Sequence, residues 1–304
     1  MVYKVENMNC EICESNLTKF LGIRGNLEYA GAPPLKPGQE HIVTDVVRCR
    51  KCGFIYTKPL ILLDTTKGYE DAKDYKPSAD NVPCEDLFRL TLELIEKFTS
   101  VGKILDIGCG KGEFLAVAKE KGWQVYGVEP SLQFADYASK KMGIKIERQE
   151  LGNTNFPDAF FDAITLNMVL EHLDNPKTTI KEIKRILKEG GVLFIEVPNT
   201  DSLMLKLASF YFKFTGRGWS PLISPLHYPY HRYGYNIKSL RYLLNSFNFK
   251  IKKAILSESN LRGIRFNPST NNLEKNLCKV TTKISACIGQ GDILKVIAIK
   301  NNGK

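Results

Sequence analysis

Short apolar runs alternate along most of the chain with stretches whose apolar residues recur every three to four positions, which predicts strands interleaved with helices. Residues 104–107, 124–128, 144–148, 162–166, 192–199, 249–256 and 292–300 read as strands. The run VLFIEVPN is apolar without alternation, as expected of a strand covered on both faces. Among the helices, 85–99 presents Leu87, Leu90, Leu94 and Phe98 on one face, and another run begins near Glu113. Ser131 as N-cap and Gly143 just past the end bound a third, with Phe134, Ala138 and Met142 inward. In KTTIKEIKRILKEGG, Ile180, Ile183 and Leu187 turn inward and Gly190 and Gly191 form the stop. Asn236 caps a helix with Leu240, Leu243, Leu244 and Phe247 inward, and Leu273, Leu277, Val280 and Ile284 mark one more before Gly289.

The pattern changes at both flanks of this α/β stretch. Residues 1–62 hold a Pro/Gly-rich crossing, a short strand at 42–47, and Phe54, Ile55 and Tyr56 on a strand able to dock on its neighbour. So short a segment has too little core to fold on apolar burial alone. At 63–83 periodicity fades and charge rises, which predicts a surface linker, with Tyr69 and Tyr75 as lid candidates. Residues 84–304 then form the main domain, with an aromatic insertion at 202–236. The first half of that insertion, LMLKLASFYFKF, reads as a covering helix or as a helix lying on a membrane surface.

Charge and cysteine usage narrow the setting. With 25% charged and 43% hydrophobic residues the chain is globular, and no apolar run reaches the length of a membrane span. The first residues carry no secretory apolar region, so a cytoplasmic location is expected. A net charge of +10 suits an anionic small molecule, a nucleic acid or an acidic lipid surface with peripheral contact, and equally a lysine-rich solvated surface. Of eight cysteines, Cys10 with Cys13 and Cys49 with Cys52 form two CxxC knuckles, which can close a tetrahedral structural Zn2+ with protein ligands alone. Cys84, Cys109, Cys278 and Cys287 lack such partners and read as free thiols.

The chemistry is concentrated in ILDIGCGKGEFL, residues 104–115, where Asp106 precedes Gly108, Cys109, Gly110 and Gly112 between a strand and a helix. A dinucleotide fingerprint needs a third glycine where Glu113 stands. An acid at the loop entrance repels a pyrophosphate but attracts an ammonium and a sulfonium, which favours S-adenosyl-L-methionine (SAM). Glu129, before Pro130, ends the next strand where an acid can accept both hydroxyls of a ribose. Together these residues resemble the cofactor half of class I SAM-dependent methyltransferases. The resemblance runs from residue 85 to the end of the chain. It implies an α/β, Rossmann-like, doubly wound seven-stranded sheet whose two late strands form an antiparallel hairpin, preceded here by a zinc ribbon. It also implies S-adenosyl-L-homocysteine as product, Asn167 near the cofactor, and Asn153 or Asn155 against adenine.

Past the fourth strand stands NMVLEHLDNP, in which Glu171 and His172 resemble the Glu-His motif of methyltransferases acting on hydroxyls and sugar carbons. A neutral imidazole near pH 7 can take the proton an attacking hydroxyl loses, so His172 is the candidate base and Glu171 its partner. In the insertion, Trp219, His227, Tyr230, His231 and Tyr233 offer flat apolar bodies with polar tips, as a sugar or aromatic acceptor needs. The whole resembles zinc-ribbon methyltransferases of polysaccharide and natural-product biosynthesis. Sugar C-methyltransferases of that type carry a further domain, which the sequence to Lys304 does not show, so the expected reaction is methyl transfer to a hydroxyl of a sugar or related small molecule. The rival reading is an rRNA or tRNA methyltransferase whose ribbon binds RNA, although basic residues are spread along the chain rather than gathered in one tract. A non-catalytic scaffold would bind no SAM.

Overall fold

The computed structural model describes residues 2–5, 9–25, 43–63, 84–216, 218–225, 230–257, 280–281, 284–285 and 287–301. Tyr69, Tyr75, His227 and Cys278 lie outside them, as do the linker and most of the last expected helix.

Seven strands form one sheet in the order β11-β12-β10-β9-β6-β7-β8. They are β6 (Lys103–Ile107), β7 (Gln124–Val128), β8 (Ile146–Glu147), β9 (Phe161–Asn167), β10 (Leu187–Pro198), β11 (Phe249–Ser257) and β12 (Ile293–Lys300). Pairs from β8 through β10 run parallel, whereas β12 is antiparallel to both β10 and β11. This is the seven-stranded, doubly wound α/β fold expected from the motifs. Strand order reverses next to β6, which opens a crevice over its carboxyl end. Apolar clusters cover both faces: Leu105, Ile164 and Leu193 belong to one, and Ile104, Ala163 and Phe194 to the other.

The helices are α1 (Cys84–Glu96), α2 (Glu113–Glu120), α3 (Leu132–Met142), α4 (Pro176–Ile186), α5 (Leu203–Phe214) and α6 (Ile237–Ser246). Ser131 and Asn236 cap α3 and α6 through their side chains, and Gly143 takes the left-handed conformation that ends α3. Two expectations are corrected. Leu90 of α1 is 61% exposed: Leu94 is buried as expected, but Leu92 and Ile95, outside the expected set, are the fully buried positions and turn the face away from Leu90. Helix α4 ends at Ile186, where Leu187 enters extended backbone and starts β10, so Gly190 and Gly191 lie inside the strand at a register shift. Val280 and Ile284, on the repeat that predicts the last helix, are exposed. In α5 no residue is buried, and Leu207, Phe210, Tyr211 and Phe214 face outward. Among the described residues, no helix is long and apolar enough to cross a membrane.

The N-terminal part contributes β1 (Val2–Val5), β2 (Thr18–Gly25), β3 (Val43–Cys49), β4 (Ile55–Lys58) and β5 (Leu60–Leu63), with β2-β3-β4 as a three-stranded antiparallel sheet and β1 against β5. It is welded to the insertion. Ile23 exchanges backbone bonds with Gly218 and Ser220, Ile55 exchanges two with Gly234, and Arg48 pairs with Asp201 at 2.7 Å.

Candidate active site

The parallel register sets Asp106 beside Thr165, so the Thr165 hydroxyl donates to Asp106 Oδ1 at 2.6 Å, and Asn167 Nδ2 donates to the same oxygen at 2.9 Å. Asp106 is 3% exposed, and burial pushes its pKa up to about 7 against the pull of these two donors, with the Glu129 carboxylate adding to the rise. Glu129 holds the loop by both oxygens: Oε2 accepts from Gly110 N at 2.9 Å and Oε1 from Ser131 N at 2.8 Å. Burial raises its pKa as well. Each oxygen keeps a further lone pair for a ligand hydroxyl.

Between the two acids the chain makes a tight turn. Gly108 N and Cys109 N both donate to the Val128 carbonyl. The Cys109 side chain turns inward, filling the space left by Gly127, where a Cβ would sit 2.7 Å from its sulfur. Only the backbone of Cys109 is therefore offered to a ligand. Gly108 has φ +67, and a Cβ there would stand 2.6 Å from Cγ2 of Val169. Gly108→Ala is thus expected to cost about 1–3 kcal/mol from left-handed strain and overpacking, read from the urea midpoint. Pro130, Asn153 and Asn155 are exposed, Asn153 on a single 3-10 turn after β8.

The second part of the site sits directly on that loop. After β9, Met168 takes φ +55, which turns the chain so that Val169 meets Gly108 and Glu171 is driven inside, 1% exposed. Its backbone carbonyl accepts from Arg232 N and Tyr233 N, and this brings His231 beside His172, with ring centroids 5.0 Å apart. His172 Nε2 lies 3.7 Å and His231 Nε2 3.9 Å from Glu171 Oε1, and both imidazoles keep about a fifth of their surface open, 20% and 22%. Burial lowers His172 to about 4, helped by the positive Arg232, and lowers His231 to about 3, helped by His172. Glu171 is pushed up to about 8 by burial and then by Glu196. All three are neutral near pH 7. Arg232 itself pairs with Asp174.

The other insertion residues do different work. Tyr230 has φ +61, and its carbonyl faces His172 Nδ1 at 3.3 Å. Tyr233 is 2% exposed: its hydroxyl donates to Glu11 Oε2 at 2.9 Å, and its ring packs on Phe54 at 5.0 Å, so it ties the N-terminal part to the Glu171 turn. Trp219 bridges to Ile23 and lies under Arg24. Glu11 and Gly234 were not singled out in the sequence, because their contacts span more than a hundred residues.

Four thiols form a separate group. Cys10, Cys13, Cys49 and Cys52 are buried, free of disulfides, and hold their sulfurs within 4.8 Å of one another. Cys10 and Cys52 are 3.5 Å apart, and Cys13 and Cys49 are 3.3 Å apart. Thiolates about 2.3 Å from a tetrahedral ion stand roughly 3.8 Å apart, so the set fits zinc with slight expansion.

Residues 79–254 match the family of the methyltransferase domain. An uncharacterized protein of Methanocaldococcus jannaschii is 35% identical over 123 residues, which cover 40% of this chain and 58% of that one. A ubiquinone biosynthesis O-methyltransferase of Idiomarina loihiensis is 32% identical over 134 residues, covering 41% of this chain and 55% of its own length. The chain thus spans little more than half the length of these relatives. Among solved structures, a chain of the complex between the Haloferax volcanii Trm112 methyltransferase activator and the putative methyltransferase superposes with a TM-score of 0.50, at 13% identity, over 72% of this chain and 92% of that one. It shares the fold.

Proposed function

The chain belongs to the methyltransferase-domain family, and on that premise we propose that it transfers a methyl group from SAM to a hydroxyl of a small molecule, a sugar-linked hydroxyl first. One observation carries the reading: the turn bearing Glu171 and His172 rests through Val169 on Gly108 of the cofactor loop, so the groups facing the acceptor adjoin the methyl donor. Asp106 attracts the ammonium of SAM, Glu129 takes its ribose, and the turn from Gly108 to Gly110 lies under the chain between them, with Pro130, Asn153 and Asn167 around it. The acceptor oxygen attacks the sulfonium methyl in line. The oxygen–carbon bond forms as the sulfur–carbon bond breaks, and neutral S-adenosyl-L-homocysteine leaves. His172 Nε2, uncharged near pH 7, receives the hydroxyl proton. Relatives whose names describe O-methyltransferases support oxygen as the atom methylated. Tyr230 and His231 border the acceptor space, whereas Trp219 and Tyr233 support it from the N-terminal side.

Zinc on Cys10, Cys13, Cys49 and Cys52 completes this reading as a structural ion, since four protein thiolates leave no position for substrate.

The test is methyl transfer from labelled SAM to nucleotide sugars, phenols and short RNAs. Transfer to a nucleotide-sugar hydroxyl is expected, with His172→Ala lowering kcat by roughly 10²–10⁴ at unchanged SAM affinity. Transfer to RNA alone, with a steep salt dependence, would replace the reading with the RNA one. Methylation of phenols alone would keep the chemistry and remove the sugar.

The raised Asp106 pKa gives a second prediction. Only the ionised carboxylate attracts the ammonium, so SAM affinity is full above about 7 and falls as pH drops through it, toward roughly tenfold per unit. Calorimetric titration on either side of that value reads the slope, and Asp106→Asn flattens it.

A further inference from the structure

Glu171 is the least satisfied group in the described structure. It is 1% exposed, and neither carboxyl oxygen has a hydrogen-bond partner. A buried oxygen left so costs about 1–3 kcal/mol. Two imidazole nitrogens converge on it, Nε2 of His172 at 3.7 Å and Nε2 of His231 at 3.9 Å. Both distances are too long for hydrogen bonds. All three candidate ligand atoms fall within 4.8 Å of one another.

We propose that Glu171, His172 and His231 hold a divalent transition-metal ion of the zinc type, on two Nε2 atoms and one carboxylate oxygen, with at least one position left for the acceptor oxygen. Two ligands about 2.1 Å from a tetrahedral ion stand roughly 3.4 Å apart, so binding draws each imidazole toward the carboxylate by a few tenths of an ångström. The surroundings fit. The Tyr230 carbonyl faces His172 Nδ1, which places the proton there and the lone pair on Nε2, the nitrogen nearer Glu171. Arg232 N and Tyr233 N fix the Glu171 backbone, and the Arg232 charge is paired with Asp174. The partial exposure of both rings leaves the ion open toward the cleft. Two imidazoles and one carboxylate form an open set, unlike the closed set of four thiols.

The inference rests on the methyl-transfer reading only for what fills the open position. There an acceptor hydroxyl bound through oxygen would be acidified by the ion, and its proton would pass to water. His172 would then act as a ligand in place of a proton acceptor.

Metal content after equilibrium dialysis of the full chain against low-micromolar Zn2+ tests the site. Two zinc ions per chain are expected in the wild type and one in the double variant Glu171→Gln, His231→Ala, whose SAM affinity, unchanged, shows that it is folded. The ion the double variant keeps is assigned to the four thiols if Cys13→Ser and Cys49→Ser, added to it, remove that ion too. One ion in the wild type, or two in the double variant, overturns the proposal. Methyl transfer that survives with one ion per chain would remove this metal and keep the hydroxyl reading. Two ions without transfer to any hydroxyl would remove that reading and keep the metal.

Discussion

Asp106→Asn is expected to weaken SAM binding about a hundredfold while leaving the protein folded. The charge-assisted bond between a buried carboxylate and an ammonium contributes about 1.5–3 kcal/mol, and each 1.4 kcal/mol is a factor of ten. Asparagine keeps an oxygen in place of Oδ1, so the donors Thr165 and Asn167 remain satisfied. Stability should not suffer, as the sign of the shift shows. An acid whose folded pKa is raised above its unfolded value adds no cost at low pH, where both states are protonated. It destabilises the ligand-free fold progressively as pH rises from the ordinary carboxylate value of 3.8 to about 7, and by a constant amount above that. Removing the charge relieves this cost. Calorimetry and a thermal midpoint, both above neutral pH, should therefore move in opposite directions: lost affinity, and an equal or higher midpoint. A variant that binds SAM normally would remove Asp106 from the cofactor site.

The second large effect is expected from the four thiols. Metal binding to such sets is worth apparent free energies of about 10–16 kcal/mol in small zinc domains, far more than the core of a short N-terminal segment can supply. Cys13→Ser with Cys49→Ser, or a strong chelator, is expected to unfold β2–β4. The damage should reach the acceptor side and spare the cofactor side. Glu11 holds the Tyr233 hydroxyl, Glu14 pairs with Lys177 at 2.7 Å, and Ile55 holds Gly234, all close in sequence to Glu171 or His231. Asp106 and Glu129 are held instead by β9 and by their own loop. Methyl transfer should fall at least about tenfold while SAM affinity stays within about threefold, since the two sets of contacts are independent. Equal loss of both would show that the N-terminal part supports the whole fold.

The motifs that could be read along the chain share one property: their residues are neighbours in sequence. Asp106 to Gly112 form one turn, Glu129 ends the next strand, and each CxxC pair lies within four residues, although the closest sulfurs pair across the two knuckles. Helix caps at Ser131 and Asn236 were legible for the same reason, since a cap reaches only to the first turn. Element ends were less so. Whether 187–191 continues a helix or begins a strand is decided by pairing with β9, which local pattern does not contain.

What the sequence determined by itself is the order of strands and helices from α1 to β11, the acid-and-glycine loop and the two CxxC pairs, because local spacing sets period and turn. Tertiary structure alone decided which side chains gather around Glu171. Residue 231 reaches residue 171 because two backbone N–H groups found a buried carbonyl, and Tyr233 turns toward the N-terminal part because its hydroxyl found Glu11. Those contacts are between segments far apart in the chain, and a hydrogen bond formed across such a distance leaves no periodic trace in the residues that make it.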